Sequence, residues 1–480
     1  MKKQHIPGLP HLFARALDGQ GAAAGDTAPA RMAIALSGGL DSSALLHLAH
    51  DYAQTHQIAL YAFHIHHGLS AYADDWLAHC ARSCADLGIT FEARRVELAG
   101  QEKSGTEAAA RKSRYAALGA LCREHEVTLL LTAHHLDDQA ETVLLQLLRG
   151  SGPAGLSGMD AANAAPELLA NPALVMARPL LSASRKQLAA YVAEHGIVHI
   201  NDESNDDPRF ARNALRHQVM PALARAFPGF QERFARSAQH AQSAQRLLTE
   251  LAEQDLAASL DGECLDVAKL RAMSTDRSYN LLRHWFAVRG LRMPTTAWLT
   301  EMLAQLVEAR DHAQVLVTHP DCHVRRYRDR LYLTPKLAEL SGTREDEFDQ
   351  TPGTAFRWNG EAELAFPAYG GVLYFDAVDA APEADPEVSP VAGLDADWLR
   401  EQALVIEFRK GGERLKPADN RPTRALKYHY QALNIPAWER ARLPVVSAGK
   451  QLLFAAGIGM DCHLLRQDGG KRLQLRWVAK

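Results

Sequence analysis

The alternation of short apolar runs with longer amphipathic segments between residues 31 and 149 limits the folds open to this chain more than any other feature. The runs that predict buried strands are residues 32–36, 58–65, 91–96 and 127–131. The segments that predict helices are residues 42–54, 72–87, 106–125 and 138–148. Strands that alternate with helices form crossovers whose strands lie parallel in a sheet covered on both faces. We therefore predict an α/β fold with a doubly wound, Rossmann-like parallel sheet.

One loop of this sheet predicts a phosphate site. In doubly wound sheets, ligands bind beyond the carboxyl ends of the strands. The hexapeptide Ser37-Gly38-Gly39-Leu40-Asp41-Ser42 stands where the first strand gives way to a helix. Its glycine pair lets the backbone approach an anion closely, and the helix that follows offers unpaired N–H groups and a positive dipole end. The two serines add hydroxyl donors, so all six residues are candidates for nucleotide binding.

Asp41 is the unexpected member of this loop, because a carboxylate repels phosphate. Its presence is explained if Mg²⁺ lies between the two, so we predict Asp41 as a metal-binding and catalytic residue. The loop lacks the lysine of a Walker A motif. Glycine pairs are also common in ordinary turns, so the order of the six residues, rather than the pair alone, favours a nucleotide site.

The hexapeptide resembles the PP-loop of the N-type ATP pyrophosphatases. Members of that superfamily cleave ATP between the α and β phosphates, adenylate a carbonyl oxygen and let a nucleophile displace AMP. The resemblance implies ATP as the cofactor, together with Mg²⁺, and a PP-loop ATPase domain. It fixes the class of reaction and leaves the substrate open.

Further segments are similar to the tRNA(Ile)-lysidine synthetase family. They are His64-Ile65-His66-His67-Gly68-Leu69, Arg111-Lys112-Ser113-Arg114-Tyr115, Ala133-His134-His135-Leu136-Asp137-Asp138-Gln139-Ala140-Glu141-Thr142, Asn201-Asp202-Glu203-Ser204-Asn205, Arg212-Asn213-Ala214-Leu215-Arg216, Phe408-Arg409-Lys410-Gly411-Gly412-Glu413-Arg414-Leu415 and Ile435-Pro436-Ala437-Trp438. This resemblance implies a ligase that uses ATP to join free L-lysine to the C2 position of the first anticodon cytidine of isoleucine tRNA with a CAU anticodon. The reaction passes through an adenylated tRNA and releases pyrophosphate and AMP.

Asp138 and Glu141 are the predicted lysine-binding acids. Their spacing of three places both carboxylates on one face of a helix. First-turn acids also stabilise a helix dipole, which is the alternative explanation. Because the lysine ammonium has a reference pKa near 10.4, forming the neutral amine at pH 7 costs about 4 to 5 kcal/mol. We assign both acids to lysine binding and ammonium deprotonation.

Two arginines and two histidines complete the predicted site. Guanidinium groups match carboxylate and phosphate geometry, so we expect Arg114 to contact the lysine or the activated base. Arg212 is expected to contact a phosphate or the anticodon backbone; a solvated charge is the alternative for either residue. His66 and His134 are assigned to the nucleotide pocket. A zinc site is disfavoured, because adjacent histidines do not readily converge on one ion.

Charge divides the rest of the chain, although the net charge is only −4. Residues 341–400 hold 3 Lys and Arg against 13 Asp and Glu, whereas residues 401–480 hold 15 against 7. We predict a PP-loop catalytic domain over 1–225, a mainly helical tRNA- and substrate-binding domain over 226–340, and a small mixed α+β domain over 341–480. The last domain has an acidic lead-in and a basic end that suits tRNA phosphates. Trp438 and Tyr428 are candidates for stacking on tRNA bases, with packing in the protein core as the alternative.

The sequence leaves two other functions open. A tRNA thiolation enzyme shares the adenylation step but needs reactive cysteines, and Cys80, Cys84 and Cys122 fall in predicted helices away from the strand ends. A non-catalytic ATP-binding module leaves the paired acids unexplained. Six scattered cysteines and the lack of any long apolar stretch predict a cytoplasmic protein that does not bind membranes. The sequence does not decide between a monomer and a homodimer.

Overall fold

The computed structural model describes residues 8–24, 29–66, 68, 72–96, 106–201, 211–307, 315–336, 353–378, 392–466 and 471–479. The chain divides into two compact units, Met1–Glu253 and Gln254–Lys480. Among the helices that the structure describes, none is long and apolar enough to cross a membrane. The predicted boundaries near residues 225 and 340 stay a prediction.

The first unit alternates strands and helices as the sequence predicts. Its elements are α1 Leu9–Ala24, β1 Arg31–Ala35, α2 Leu40–His56, β2 Ala59–His66, α3 Ala73–Asp86, β3 Thr90–Arg95, α4 Thr106–Glu124, β4 Leu129–Leu131, α5 Leu136–Leu148, α6 Pro153–Leu156, β5 Ala162–Ala164, α7 Pro166–Leu169, β6 Val175–Ala177, α8 Arg185–Glu194, α9 Ala211–Ala214, a π-helix Leu215–Val219, α10 Met220–Ala226 and α11 Phe230–Ser259. The last of these helices continues past residue 253.

The strands form one six-stranded sheet in the order β3-β2-β1-β4-β6-β5. β1 pairs in parallel with β2 on one side and with β4 on the other, and β4 pairs in parallel with β6. The doubly wound sheet is therefore confirmed, with β5 as an added antiparallel edge. Strand order reverses between β1 and β4, and it is at this point that such sheets bind ligands.

Apolar side chains cover both faces of the sheet, as a doubly wound fold requires. Phe13, Ile34 and Leu188 belong to the core on the face of α1, α2 and α8. Phe63 and Tyr115 belong to the core on the opposite face, under α4.

Gly119 lets α4 approach α7 more closely than any other residue would. A Cβ atom at this position would lie 1.7 Å from the carbonyl oxygen of Leu169. The Asn171 side chain also contacts α4 here, because it donates a hydrogen bond of 3.3 Å to the Gly119 carbonyl. The position of α4, which carries Arg111 and Arg114, is set by this contact.

The second unit combines helices with antiparallel sheets. Its remaining elements are β7 Leu260–Asp261, β8 Cys264–Asp266, α12 Val267–Ala272, α13 Thr275–Ala287, α14 Thr296–Val307, β9 Leu316–Thr318, β10 Cys322–Tyr327, β11 Arg330–Pro335, β12 Thr354–Phe356, β13 Glu363–Phe366, a 3-10 helix Pro367–Tyr369, β14 Gly371–Val378, β15 Leu394–Asp395, α15 Ala396–Glu401, β16 Leu404–Phe408, β17 Arg414–Leu415, β18 Arg424–Ala425, α16 Leu426–Ala432, α17 Ala437–Arg440, β19 Pro444–Ala448, β20 Gln451–Ala455, β21 Gly459–Met460, a second 3-10 helix Cys462–Leu464 and β22 Arg472–Ala479.

The sheets of four or five strands in the second unit lie in two groups. The strands β7-β8-β11-β10-β9 form one sheet that shares a core with α13 and α14, so the segment predicted as mainly helical also contains a sheet. The other group contains β12-β16-β19-β20-β21 and β13-β14-β22-β15, which share a second core. The predicted α+β end of the chain is thus confirmed. The acidic run at residues 381–390 lies outside the described residues.

Candidate active site

The nucleotide loop, residues Ser37 to Ser42, is closed by the side chain of Ser42. The Ser42 hydroxyl accepts hydrogen bonds from the backbone N–H groups of Ser37 at 3.3 Å and Gly38 at 3.1 Å, and donates to the Gly39 carbonyl at 3.0 Å. Gly38 has φ +85, and a Cβ atom there would meet Cys80 Sγ at 3.0 Å. The loop therefore requires glycine at position 38, and its backbone is shaped before any ligand binds.

The start of α2 meets the start of α5 through Asp41 and His135. His135 is 1% exposed, and its Nε2 lies 3.6 Å from Asp41 Oδ2. The Asp138 backbone N–H donates to His135 Nδ1 at 3.4 Å, and the His135 backbone N–H donates to Asp138 Oδ2 at 3.1 Å. Because Nδ1 accepts a hydrogen bond, the ring hydrogen of the neutral imidazole lies on Nε2, facing Asp41.

Burial and charge oppose each other at this contact. Burial favours a higher pKa for Asp41, but the hydrogen bond and charge of His135, with the charges of Arg185 and Arg216, bring the pKa below its ordinary value. For His135, burial lowers the pKa, and the contacts with Asp41, Asp138 and Asp137 outweigh it and raise the pKa. Asp41 is therefore an ionised carboxylate inside the site.

The other oxygen of Asp41 meets the requirement for a metal ligand. Asp41 Oδ1 is buried, and within the described part of the chain it has no hydrogen-bond partner. A buried ionised oxygen without a donor is costly unless a cation neutralises it. Mg²⁺ binds through one or two carboxylates together with phosphate oxygens and water. The residues at the nucleotide loop thus fit Mg²⁺, and Asp41 is the residue that would hold it.

Asp138 and Glu141 form a four-charge cluster with Arg212 and Arg216. Arg212 Nε donates to Glu141 Oε2 at 2.7 Å, and its Nη2 donates to Asp138 Oδ1 at 3.2 Å. Arg216 Nε donates to Glu141 Oε1 at 2.7 Å, and its Nη2 reaches Glu141 Oε2 at 3.0 Å and Asp138 Oδ1 at 3.3 Å. The Glu141 side chain is only 2% exposed, so both of its oxygens are engaged by guanidinium groups away from water.

His134 lies beside three further arginines. Its Nδ1 is 2.9 Å from the hydroxyl oxygen of Thr132. Burial holds the pKa of His134 well below its ordinary value, and the positive charges of Arg178, Arg111, Arg212 and Arg114 lower it further, in that order. His134 is therefore a neutral imidazole at physiological pH. Its place in the nucleotide pocket stays a prediction.

The second-strand histidines have structural partners. His64 Nδ1 lies 2.9 Å from the Leu36 carbonyl, just before the nucleotide loop, and His66 Nε2 lies 3.2 Å from Asp74 Oδ1. His67 lies outside the described residues. Among the described residues, the only close group of three candidate metal ligands is Asp461, Cys462 and His463, in the second unit. The assignment of His66 to the nucleotide pocket is untested by these contacts.

The structure adds two residues that the sequence reasoning missed, His135 and Arg216. His135 has an extended backbone with φ −127 and ψ −178, and consecutive side chains of an extended chain point to opposite sides. Without the register of β4, nothing in the sequence distinguishes it from His134. Arg216 could have been found, because it follows Arg212 by four residues and so lies on the same helical face.

The two aromatic residues considered for tRNA stacking in residues 401–480 differ in their surroundings. Trp438 packs edge-on against Tyr327 and Tyr332, with ring centroids 6.1 and 5.4 Å apart, which is core packing. Tyr428 is 60% exposed and remains a candidate for stacking. The basic residues exposed between residues 401 and 430 are Lys410, Arg414, Arg421, Arg424 and Lys427.

Three family models match the chain: a PP-loop domain over residues 16–223, a TilS substrate binding domain over 265–332 and a TilS substrate C-terminal domain over 404–477. A tRNA(Ile)-lysidine synthase of Ralstonia nicotianae is 42% identical over 92% of this chain and 91% of the relative. The synthase of Coxiella burnetii is 35% identical over 90% of this chain and 89% of the relative. A solved TILS C-terminal domain, 21% identical with a TM-score of 0.22, covers 27% of this chain and 98% of that chain.

Proposed function

The chain belongs to the tRNA(Ile)-lysidine synthase family, and from that premise we infer its reaction. It is a ligase that uses ATP to form a carbon–nitrogen bond between lysine and the first anticodon cytidine of isoleucine tRNA. The observation that carries this conclusion is the contact of Asp41 with His135, because it joins the nucleotide loop to the four-charge cluster. A nucleotide and a cationic substrate are thereby brought to the same edge of one sheet. Matches over most of the chain support this reading.

The reaction has two steps. The C2 oxygen of the cytidine attacks the α-phosphorus of ATP, and the bond to the β-phosphate breaks to release pyrophosphate. The lysine ε-amine then attacks C2, and the C2–oxygen bond breaks to release AMP. The lysine ε-ammonium loses a proton before the attack, and the nitrogen of the resulting neutral amine becomes the nitrogen of the new C–N bond.

The nucleotide loop binds and orients the phosphates in this proposal. The backbone N–H groups at the start of α2 and the hydroxyl of Ser37 would donate to phosphate oxygens. When bound, Mg²⁺ on Asp41 supplies the positive charge that phosphate oxygens need as pyrophosphate departs. His135 holds Asp41 in place through its Nε2–H, and it is itself fixed by the backbone of Asp138.

In this proposal, Asp138 and Glu141 bind the lysine ε-ammonium in place of some of their present contacts with arginines. Their oxygens are engaged by Arg212 and Arg216, so an incoming ammonium must take over some of the guanidinium contacts. Arg212 is the more exposed of the two, at 31% against 24% for Arg216. Arg212 would therefore turn toward the tRNA or the departing AMP phosphate, as first expected for it, while a carboxylate accepts the proton.

Thiolation is the weaker alternative. Burial raises the pKa of Cys80, Cys84 and Cys122 to about 12, so none of these thiols is a thiolate at physiological pH. Thiolation chemistry needs the thiolate or a persulfide derived from it. A non-catalytic ATP-binding module would have no use for a buried cluster of two acids and two arginines.

The exposed arginines Arg414, Arg421 and Arg424 of the tail are proposed to contact tRNA phosphates. Each phosphate contact releases counterions, so the logarithm of the binding constant falls with the logarithm of salt by about 0.7 to 0.9 per contact. Replacing all three by glutamine should weaken tRNA binding and flatten this slope by about 2 to 3. Lys450→Gln, in an exposed turn, is the control. An unchanged slope in the triple variant would remove the tail from the binding surface.

Incubation with ATP, radiolabelled lysine and an isoleucine tRNA transcript with a CAU anticodon tests the reaction itself. Label should enter the tRNA only when ATP is present, with one AMP formed per lysine transferred. Incorporation without ATP, or AMP formation with no label transfer, would contradict the proposed function. Free lysine as the donor, a cytoplasmic site of action and a homodimer remain proposals alongside it.

A further inference from the structure

Three side chains that can bind a metal ion stand together in the second unit, directly after β21. Asp461, Cys462 and His463 lead into the second 3-10 helix. A carboxylate oxygen, the thiol sulfur and a ring nitrogen, one atom from each residue, lie within 4.8 Å of one another. The proposed reaction uses none of these side chains. We call the three residues the Asp-Cys-His cluster.

The backbone fixes the carboxylate of this cluster. Asp461 is 9% exposed, its Oδ1 accepts a hydrogen bond of 3.0 Å from the His463 backbone N–H, and its Oδ2 accepts one of 3.3 Å from the Lys416 backbone N–H. An ionised carboxylate has about four lone-pair positions, so both oxygens keep capacity for a further ligand. Carboxylates that bind metal ions are commonly held in this way by surrounding hydrogen bonds. Asp461 is therefore oriented before any ion binds.

A second carboxylate reaches the cluster from the segment between β17 and β18, residues 416–423. The Asp419 side chain forms a hydrogen bond with the Cys462 thiol. Asp419 lies in a turn, because the Arg421 backbone N–H donates to the Ala418 carbonyl at 3.0 Å. The same two segments are also joined by the Cys462 backbone N–H, which donates to the Lys416 carbonyl at 2.8 Å. Four candidate ligands thus come together from two separate parts of the chain.

The charges around Cys462 favour a cation. Asp419 and Asp461 act on the thiol as negative charges, and Lys416 acts on it as a positive charge. Two carboxylates against one ammonium leave a surplus of negative charge beside the sulfur. A divalent ion would neutralise this surplus and hold the sulfur as a thiolate, which is the form of cysteine that binds metals.

The types of ligand atom indicate which ion fits. Mg²⁺ and Ca²⁺ are bound by oxygen atoms, whereas sulfur and imidazole nitrogen are ligands for Zn²⁺. A structural zinc site is closed by four protein ligands in a tetrahedral arrangement. The Asp-Cys-His cluster supplies three of them, and Asp419 supplies a fourth.

We propose that Asp461, Cys462, His463 and Asp419 bind one Zn²⁺ ion. The Cys462 thiol proton passes to solvent as the zinc–sulfur bond forms. The ion would join segment 416–423, in which Arg421 is exposed, to the second 3-10 helix. Its role is structural, and the inference does not depend on the proposed function. Because the ion binds the folded site, Zn²⁺ should raise the melting temperature.

The test is a calorimetric titration of the full-length protein, free of metal and of any affinity tag, with zinc chloride in excess Mg²⁺. One Zn²⁺ should bind per chain. Cys462→Ser and His463→Ala should each weaken binding about a hundredfold, since losing even a partner outside the ligand shell costs about ten- to a hundredfold. Asp419→Asn should weaken it as well. Cys264→Ser, at a cysteine of similar exposure outside the cluster, is the control and should bind Zn²⁺ as the unaltered protein does.

Cobalt gives a second measurement that reports on the ligands directly. Co²⁺ takes tetrahedral zinc sites, and a bond to thiolate gives it a sulfur-to-metal charge-transfer absorption. This absorption should appear in the unaltered protein and in Cys264→Ser, and it should be absent from Cys462→Ser. His463 is exposed and Cys462 is partly exposed, so these substitutions should leave the melting temperature of the metal-free protein unchanged.

Equal zinc affinity in Cys462→Ser and the unaltered protein would overturn the site, as would a cobalt complex without the charge-transfer absorption. Zinc binding that is lost in Asp41→Asn but kept in Cys462→Ser would place the ion at the nucleotide loop instead. Unchanged affinity in Asp419→Asn would contradict the closed set of four ligands. Lysine transfer to tRNA is measured separately, so a failure of the proposed function would not alter any of these results.

Discussion

The nucleotide loop and the four-charge cluster are both anchored at the ends of neighbouring strands, but they are built in opposite ways. Ser42 closes the nucleotide loop through hydrogen bonds to residues no more than five positions away. Glu141 instead meets arginines 71 and 75 residues further along the chain. A site built from neighbouring residues appears as a motif, whereas a site built from distant segments depends on the whole fold. The two regions should therefore respond differently to substitution.

The largest effect is expected from Asp41→Asn, which removes charge from the nucleotide loop without removing volume. Loss of the carboxylate that would hold Mg²⁺ should lower the rate of pyrophosphate release at least a thousandfold, since charge stabilisation of a leaving phosphate is worth several kcal/mol. The melting temperature should change little, because Asp41 contributes no hydrogen bond to the loop backbone. Pyrophosphate release and circular dichroism are the measurements.

Asp51→Asn is the matched control for Asp41, because Asp51 lies on the same helix with its side chain 73% exposed. It should leave both quantities unchanged. If Asp41→Asn retained ATP cleavage at the rate of this control, the metal role of Asp41 would be refuted.

Glu141→Gln should lower activity and stability together, because the four-charge cluster joins distant segments. Two guanidinium groups would lose a buried counterion, which costs about 3 kcal/mol when one partner of a buried pair is removed. We expect the KM for lysine to rise about a hundredfold and the midpoint of urea unfolding to fall. The double variant Glu141→Gln with Arg216→Gln should recover part of the stability but none of the lysine use. Additive losses in unfolding free energy would show that the two residues are not coupled.

Ser42→Ala should produce a smaller effect confined to the nucleotide loop. The hydroxyl that accepts two backbone N–H groups disappears, and each lost hydrogen bond is worth about 1 kcal/mol. The KM for ATP should rise about tenfold, with the KM for lysine unchanged in steady-state kinetics. A parallel rise in the KM for lysine would mean that the loop and the cluster are not separable.

The smallest effect is expected from pH. The pKa of His64 lies below its ordinary value. Burial is the largest cause and the charge of His66 adds to it, whereas the hydrogen bond with the Leu36 backbone acts in the opposite direction. Because the folded pKa lies below 6.5, the unfolded chain takes up the proton first, and stability falls as pH drops below 6.5. One histidine contributes at most about 1.4 kcal/mol per pH unit. His64→Gln should make this slope shallower below pH 6.5 in urea unfolding, because only the contribution of His64 is removed, whereas the guanidinium groups of the cluster stay charged throughout. An identical slope in both proteins would exclude His64 as a source.

The sequence predicted the local parts of the fold and not the distant ones. The predicted strand 32–36 is β1 Arg31–Ala35, and the predicted helix 138–148 is most of α5 Leu136–Leu148. β5 and β6 were not predicted, because each has three residues and three residues show no periodicity. In the site, the nucleotide loop was found as a contiguous motif. The pairing of Asp138 and Glu141 with arginines was not found, since sequence spacing carries no information about contacts across 71 to 78 residues.

The separation between Glu141 and its two arginines also has a consequence during synthesis on the ribosome. Once residue 141 has emerged, about 75 more residues must be added before Arg216 can reach it, which takes about 4 to 15 seconds. During that interval the nascent chain holds the sheet strands β1 to β4 but lacks the cations that allow Glu141 to be buried. The first unit should therefore complete its fold late, when the segment 211–219 arrives, and a chain truncated before residue 211 should remain a client of chaperones.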